Sequence, residues 1–305
     1  MNWKNEISAA ANRINGYAQV TPVIESRVSG LDHPIEMKLE HMQHTGSFKA
    51  RGAFNTLLSL GVPAAGVVAA SGGNHGAAAA YAAQALGYPA KIFVPELAGS
   101  SKIALIKQTG ADLTVVQGEY ANALNAAKEH EAATGAMQIH AYDALATVAG
   151  QGTCFAEWEA QGLQADTILV AVGGGGLIAG ALGWFGGSRK IVAVEPETSC
   201  ALHAALQAGA PVDVSVSGIA ANALGARRIG SICFDLAQGM TSVLVSDKAI
   251  AAAQISLWQS HRMLVEPAGA TALAALASGA YAPEPGERVA VLVCGGNIAP
   301  DPFLK

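Results

Sequence analysis

Charged side chains are scarce in this chain. Asp, Glu, Lys and Arg make up 13% of its 305 residues, about half the ~25% usual for a soluble domain. The formal net charge is −5 and no basic run exceeds the pair Arg227-Arg228, which argues against nucleic acid or anionic lipid as a partner. That pair reads as a solvated helix end. Cysteine is also sparse: Cys154, Cys200, Cys233 and Cys294 lie far apart, with no Cys-x-x-Cys and no close His. A zinc site and a disulfide scaffold are therefore not expected, and reduced thiols in the cytoplasm are. The first residues lack the unbroken apolar stretch of a signal peptide, because Lys4, Glu6 and Arg13 interrupt it. An amphipathic helix of the mature protein is expected there instead.

One uncharged run raises the question of a membrane span. Thr167 to Ser188 carries no charge and contains Gly176-Leu177-Ile178-Ala179-Gly180, the spacing of packed membrane helices. A single helix through it would include four successive glycines, Gly173 to Gly176, each costing about 1 kcal/mol relative to Ala. A strand, a glycine turn and a short helix fit better, so no membrane association is expected.

Glycine and apolar residues are plentiful: 35 Gly, and 51% hydrophobic. The length allows about two domains with a large core. β-Branched runs predict strands over Gly66–Ser71, Lys91–Pro95, Leu113–Val116, Ile168–Val172, Ile191–Glu195 and Val289–Cys294. Helix formers between them predict helices over Asn74–Gly87, Ala121–Thr134, Leu177–Phe185 and Pro267–Ser278. This alternation predicts an α/β fold with doubly wound, mostly parallel sheet. No fixed-period repeat or low-complexity tail is present, and Ala282-Pro283-Glu284-Pro285-Gly286 reads as a loop inside a domain.

Three of the strands run into glycine loops: Ser71-Gly72-Gly73-Asn74-His75-Gly76, Gly173 to Gly176, and Cys294-Gly295-Gly296-Asn297. Ligands of open α/β sheets bind at such strand ends, so the three loops suggest three walls of one site. Four successive residues without Cβ let backbone N–H groups converge on an anion at a helix start. The loop alone leaves the ligand open. Gly174-x-Gly176-x-x-Ala179 followed by Glu195 also fits a nicotinamide dinucleotide, and a plain packing turn fits as well. The segment Thr45 to Gly52 narrows the choice. Ser47 is placed to cap a helix with Lys49 in its first turn, where the dipole lowers a lysine pKa. A reactive lysine together with a phosphate cradle points to pyridoxal 5'-phosphate, which needs an amine for its aldehyde and a site for its phosphate.

The motifs Ser47-Phe48-Lys49-x-Arg51-Gly52-Ala53, Ser71 to Gly76, Gly173 to Gly176, Glu266-Pro267-Ala268-Gly269-Ala270 and Cys294 to Asn297 occur in that order. In this the chain resembles the fold-type II (tryptophan synthase β-like) pyridoxal-phosphate enzymes, within them the serine/threonine dehydratases and serine racemase, from about Thr21 to Asn297. The resemblance implies a large cofactor domain of residues 1–57 and 143–305 and a small domain of residues 58–142 carrying the substrate loop. It implies a cofactor-bearing, catalytic Lys49 linked as a Schiff base. Phe48 packs on the cofactor, Asn74 bonds its ring hydroxyl, Gly173, Gly174, Gly175 and Gly176 hold its phosphate, and Cys294 faces its ring nitrogen. Ser71, Gly72, Gly73, Asn74 and His75 hold the carboxylate of an amino-acid substrate.

A thiol does not keep the ring nitrogen protonated, which favours β-elimination over a long-lived carbanion. The implied reaction is dehydration and deamination of a β-hydroxy amino acid such as serine or threonine to a 2-oxo acid and ammonia, by an ammonia-lyase that forms homodimers. A β-replacement synthase, a racemase and, outside the family, a nicotinamide oxidoreductase are the alternatives. Two departures from the family pattern matter. Gly72 stands where racemase-like members have a Ser acid/base, which disfavours racemisation. Glu195, Ser199 and Ala201 occupy a metal site whose last carboxylate is missing, so no metal is expected and Glu195 is left to cap the next helix. Ser217 to Gly225 replaces the Ala-Asp-Gly loop near the substrate side chain, which leaves the Cβ substituent open. No C-terminal regulatory domain is expected after Asn297.

Overall fold

A computed structural model describes residues 1–27, 34–96, 100–118, 120–240 and 242–298. Two sheets organise them. The larger has the order β1-β2-β10-β7-β8-β9, built from β1 (Val23–Ser26), β2 (Ile35–Lys38), β7 (Thr167–Ala171), β8 (Lys190–Pro196), β9 (Ser242–Val245) and β10 (Val289–Leu292). The smaller has the order β5-β4-β3-β6, from β3 (Val67–Ala70), β4 (Ala90–Pro95), β5 (Asp112–Val116) and β6 (Met137–Gln138). All pairings are parallel except β1 with β2, where Val23 faces Lys38. Every residue of β3, β7 and β10 is buried. Such strands are covered on both faces, as parallel sheets require.

The helices in chain order are α1 (Trp3–Ile14), α2 (Lys49–Ser59), α3 (Asn74–Ala85), α4 (Ser100–Gln108), α5 (Tyr120–Thr134), α6 (Leu145–Ala160), α7 (Gly176–Phe185), α8 (Ala201–Ala208), α9 (Ala221–Leu224), α10 (Ser231–Leu236), α11 (Asp247–His261) and α12 (Pro267–Ala277). In the large sheet α12 packs across β7 to β10 with α11 against it, while α7 packs on β7 and β8 with α6 and α10 beside it. The stretch Thr167 to Ser188 divides into β7, a glycine turn and α7. No helix among the described residues is long and apolar enough to cross a membrane.

The strands and helices read from periodicity form within two residues of their expected ends, but β1, β2 and β9 give no such signal. β1 and β2 are four residues long and carry Glu25, Glu36 and Lys38. Lys38 is nevertheless fully buried. Its ammonium donates to Glu157 Oε1 (2.5 Å), Gln161 Oε1 (2.7 Å) and the Thr21 carbonyl (2.9 Å). Satisfying all three ammonium protons makes such burial tolerable.

Lys38 belongs to a buried ionic cluster centred on Arg51 of α2. The Arg51 guanidinium grips Glu40 through two bonds of 2.8 Å and reaches Glu157 of α6 at 2.9 Å. Burial alone would raise the Glu40 carboxyl, but Arg51 and the Thr21 hydroxyl outweigh it and hold the pKa below the ordinary carboxylate range. The cluster thus fixes α2 against the segment after β2 and against α6. Replacing Arg51 by Ala leaves Glu40 buried without its cation. We expect a loss of about 3–5 kcal/mol in urea unfolding, and a loss under about 1 kcal/mol would contradict this account.

Candidate active site

The segment that leaves the ionic cluster delivers Lys49 to the carboxyl ends of the large sheet. The turns Glu40–Met42 and His44–Gly46 follow β2, and the backbone then pairs Ser47 with Gly295 beyond β10. Lys49 opens α2, but Ser47 does not cap it: the N-cap is Phe48, without a side-chain bond, and Ser47 Oγ is buried with no partner among the described residues. The extended Ser47 backbone, held by the bridge to Gly295, turns its hydroxyl away from the helix amides. Lys49 Nζ donates to the Ala141 carbonyl at 2.8 Å and lies 5.1 Å from the Phe48 ring centre. Its pKa is lowered to about 8, chiefly by burial, with Cys294 and Glu266 pulling the other way. Desolvation, more than the helix dipole that the sequence suggested, therefore readies this amine.

Facing it, Gly173 to Gly176 link β7 to α7. Among the described residues, none of these four amides meets a protein acceptor. Gly175 forms the N-cap with φ +92°, a left-handed conformation that favours glycine. A Cβ on Gly174 would run into the Tyr142 ring. The result is a run of N–H groups at a helix start, where Tyr142, Cys233 and Gln151 pack against the positions that Cβ atoms on Gly174, Gly175 and Gly176 would take. Phe48, Lys49, Asn74, Gly173, Gly174, Gly175, Gly176 and Cys294 line this one pocket.

The predicted substrate loop adjoins it. Ser71, Gly72, Gly73, Asn74 and His75 line a cleft of about 500 Å³ that also reaches Lys49 and Gly174. Ser71 Oγ accepts from the Gly73 amide at 3.1 Å, and α3 begins at Asn74. His75 is no cation: burial and the nearby Lys49 push its pKa down to about 3, and a ring nitrogen meets the Ile139 carbonyl at 2.9 Å. An anion on this loop would therefore be bound by backbone dipoles.

Residues whose roles the sequence did not reveal complete the pocket. Asn74 Nδ2 donates to Glu266 Oε1 at 2.5 Å, while Asn74 Oδ1 accepts from Asn297 Nδ2 at 2.9 Å. Asn297 Nδ2 also donates to the Thr45 carbonyl at 2.7 Å. The Asn74 amide is thus held in one orientation, with an N–H left over for the pocket. Glu266 and Asn297 stand inside motifs visible in the sequence. Tyr142, whose ring covers Gly174, had no local signal. Cys294 is buried, its thiol pushed up mainly by burial, and Sγ lies 3.3 Å from the Ala268 carbonyl.

Glu195 caps α8, accepting from the amides of Leu202 (2.8 Å) and His203 (2.9 Å) and from Ser242 Oγ (2.5 Å). Committed to these bonds, it is not placed to bind a ribose. The described residues contain no group of three or more His, Cys, Asp or Glu able to hold a metal ion.

Comparison with known proteins agrees with this geometry. A family model described as pyridoxal-phosphate dependent enzyme matches residues 14–295. The chain is 35% identical to a phenylserine dehydratase of Ralstonia pickettii, over 98% of this chain and 95% of that protein. It is 34% identical to an L-threonine ammonia-lyase of Geobacter sulfurreducens, over 96% and 75%. Maize serine racemase superposes with a TM-score of 0.90 at 30% identity, covering 97% of this chain and 93% of that one.

Two measurements test the site. In cofactor-free protein, the rate at which Lys49 reacts with a small aromatic aldehyde follows the neutral amine. It should rise about tenfold per pH unit below 8 and level off above it; a midpoint near the ordinary 10.5 would place the amine in water. Gly174→Ala should weaken cofactor binding by at least about tenfold, since the methyl must displace Tyr142. Unchanged affinity by absorbance titration would contradict the cradle.

Proposed function

The chain belongs to the pyridoxal-phosphate-dependent enzymes, and on that premise we propose how its residues carry out β-elimination of a β-hydroxy amino acid. The reaction releases a 2-oxo acid and ammonia, and the water lost in the elimination returns in the hydrolysis that frees the ammonia. The relatives named above act on phenylserine and threonine, both β-hydroxy amino acids. The carrying observation is the desolvated amine of Lys49 in one pocket with four amides that meet no acceptor among the described residues.

The pocket suits pyridoxal 5'-phosphate: the Gly173–Gly176 amides would take the phosphate, Lys49 the aldehyde and the spare Asn74 N–H the ring hydroxyl, with Phe48 packed alongside. When bound, the cofactor supplies a carbonyl that joins the substrate amine and a ring that withdraws electrons from Cα. The loop Ser71 to His75 holds the substrate carboxylate. Lys49, whose lowered pKa of about 8 leaves half of the amine neutral near pH 8, takes the Cα proton in that neutral form. The Cys294 thiol stays uncharged and gives the ring nitrogen only a weak donor, so loss of the β-hydroxyl is favoured over return of the proton. Gly72 offers no acid on the opposite face, which separates this chain from a racemase.

We further assign residues 58–142 to a small domain that closes the substrate loop over the cofactor, and propose that the enzyme works as a cytoplasmic homodimer on a small-molecule amino-acid substrate. Purified protein with its cofactor should be yellow, absorbing violet light, and borohydride should fix the cofactor on the Lys49 peptide. Lys49→Ala should lower 2-oxo acid release by at least about 10³-fold; activity within about tenfold of the unmodified enzyme would contradict the assignment.

A further inference from the structure

A substrate with its carboxylate on the Ser71–His75 loop and its amine toward Lys49 must direct its Cβ substituent into the remainder of the cleft. The whole cleft, with the space for cofactor and carboxylate included, is about 500 Å³, whereas a hydroxymethyl group is little larger than a water, about 30 Å³. Most of its lining beyond the loop is small or aromatic: Ala221, Ala223 and Ala226, with Pro95 of β4, Tyr120 of α5 and Tyr142. Partial desolvation raises the pKa of Tyr120, and desolvation with Tyr120 nearby raises that of Tyr142, so both phenols remain neutral.

Tyr120 stands out among these. It is 54% exposed, lines the cleft, and makes no hydrogen bond or ring contact among the described residues. An aromatic ring held at the mouth of a cleft without a partner is an unfilled stacking surface. The charged lining residues beyond the loop are Arg227 and Arg228, both exposed, with Arg228 paired to Asp213 at 2.9 Å. At such exposure their attraction for an anionic substituent is screened. The small-residue wall and the two tyrosines favour an aromatic group over an acidic one.

We propose, building on the lyase reading above, that this part of the cleft is an aryl subsite and that the enzyme prefers β-aryl-β-hydroxy amino acids to serine and threonine. Tyr120 is its specificity-determining residue.

The test uses holoenzyme with two readouts. In turnover, kcat/KM for phenylserine should exceed those for serine and threonine by at least about tenfold. Tyr120→Ala should reduce the phenylserine value at least about five times more than the serine value, while Tyr120→Phe, which keeps the ring, should retain the preference. In binding, phenylalanine and alanine lack a leaving hydroxyl and cannot eliminate. Phenylalanine should perturb the cofactor absorbance with a Kd at least about tenfold lower than alanine. Equal Kd values overturn the subsite, as does a highest kcat/KM for 3-hydroxyaspartate that falls with Arg227→Ala. If no amino acid yields a 2-oxo acid yet phenylalanine still binds more tightly, the lyase reading fails while the aryl subsite stands.

Discussion

Among the described residues, the amides of Gly173 to Gly176 meet no protein acceptor. The end of β7 stops pairing with β8 there, and α7 has not yet begun to supply acceptors of its own. Unmatched N–H groups inside a fold are costly. Here they face a pocket rather than the core, and nearby Tyr142 fills the space that a Cβ at Gly174 would need. An anion resolves the mismatch, which makes phosphate binding a consequence of how the sheet ends. In the proposed reading the loop before α3, whose Gly73 amide is already bonded to Ser71 Oγ, takes a carboxylate on its remaining amides, because His75 is neutral. On that reading a protein with 13% charged residues would hold two anions with little side-chain charge.

Charge is concentrated where rigidity is required. Arg51 lies two residues beyond Lys49, and its grip on Glu40 and Glu157 locks the helix that opens with the reactive lysine. On the other side, Glu266, Asn74 and Asn297 run from the start of α12 through the substrate loop to the turn before Lys49. The amine is thus positioned from both sides while remaining desolvated. Burial can lower a lysine pKa without unfolding the site only when the surrounding polar groups are already committed elsewhere.

The sequence revealed these features unequally. Strands such as β7 and β10 are continuous apolar runs, and the glycines that end them are unmistakable, so the sheets and the loops of the pocket could be read directly. β1 and β2 could not, because Lys38 breaks the apolar pattern and is made buriable by the Thr21 carbonyl together with Glu157 and Gln161, the last two more than a hundred residues away. Ser47 illustrates the opposite error. Its residue type suits a cap, but the tertiary bridge to Gly295 sets its backbone and removes it from that role. Tyr142 and Tyr120 had no local signature, since their importance comes from what lies across the cleft.

The central claim is that anion recognition rests on backbone amides. It is tested most directly by comparing the affinity of pyridoxal 5'-phosphate with that of pyridoxal at two ionic strengths. The account predicts that the phosphate tightens binding by at least about 100-fold, and that most of this gain survives a rise from 0.05 to about 0.5 M salt because the amides are buried. Equal affinities for the two, or a phosphate gain abolished by salt, would contradict it.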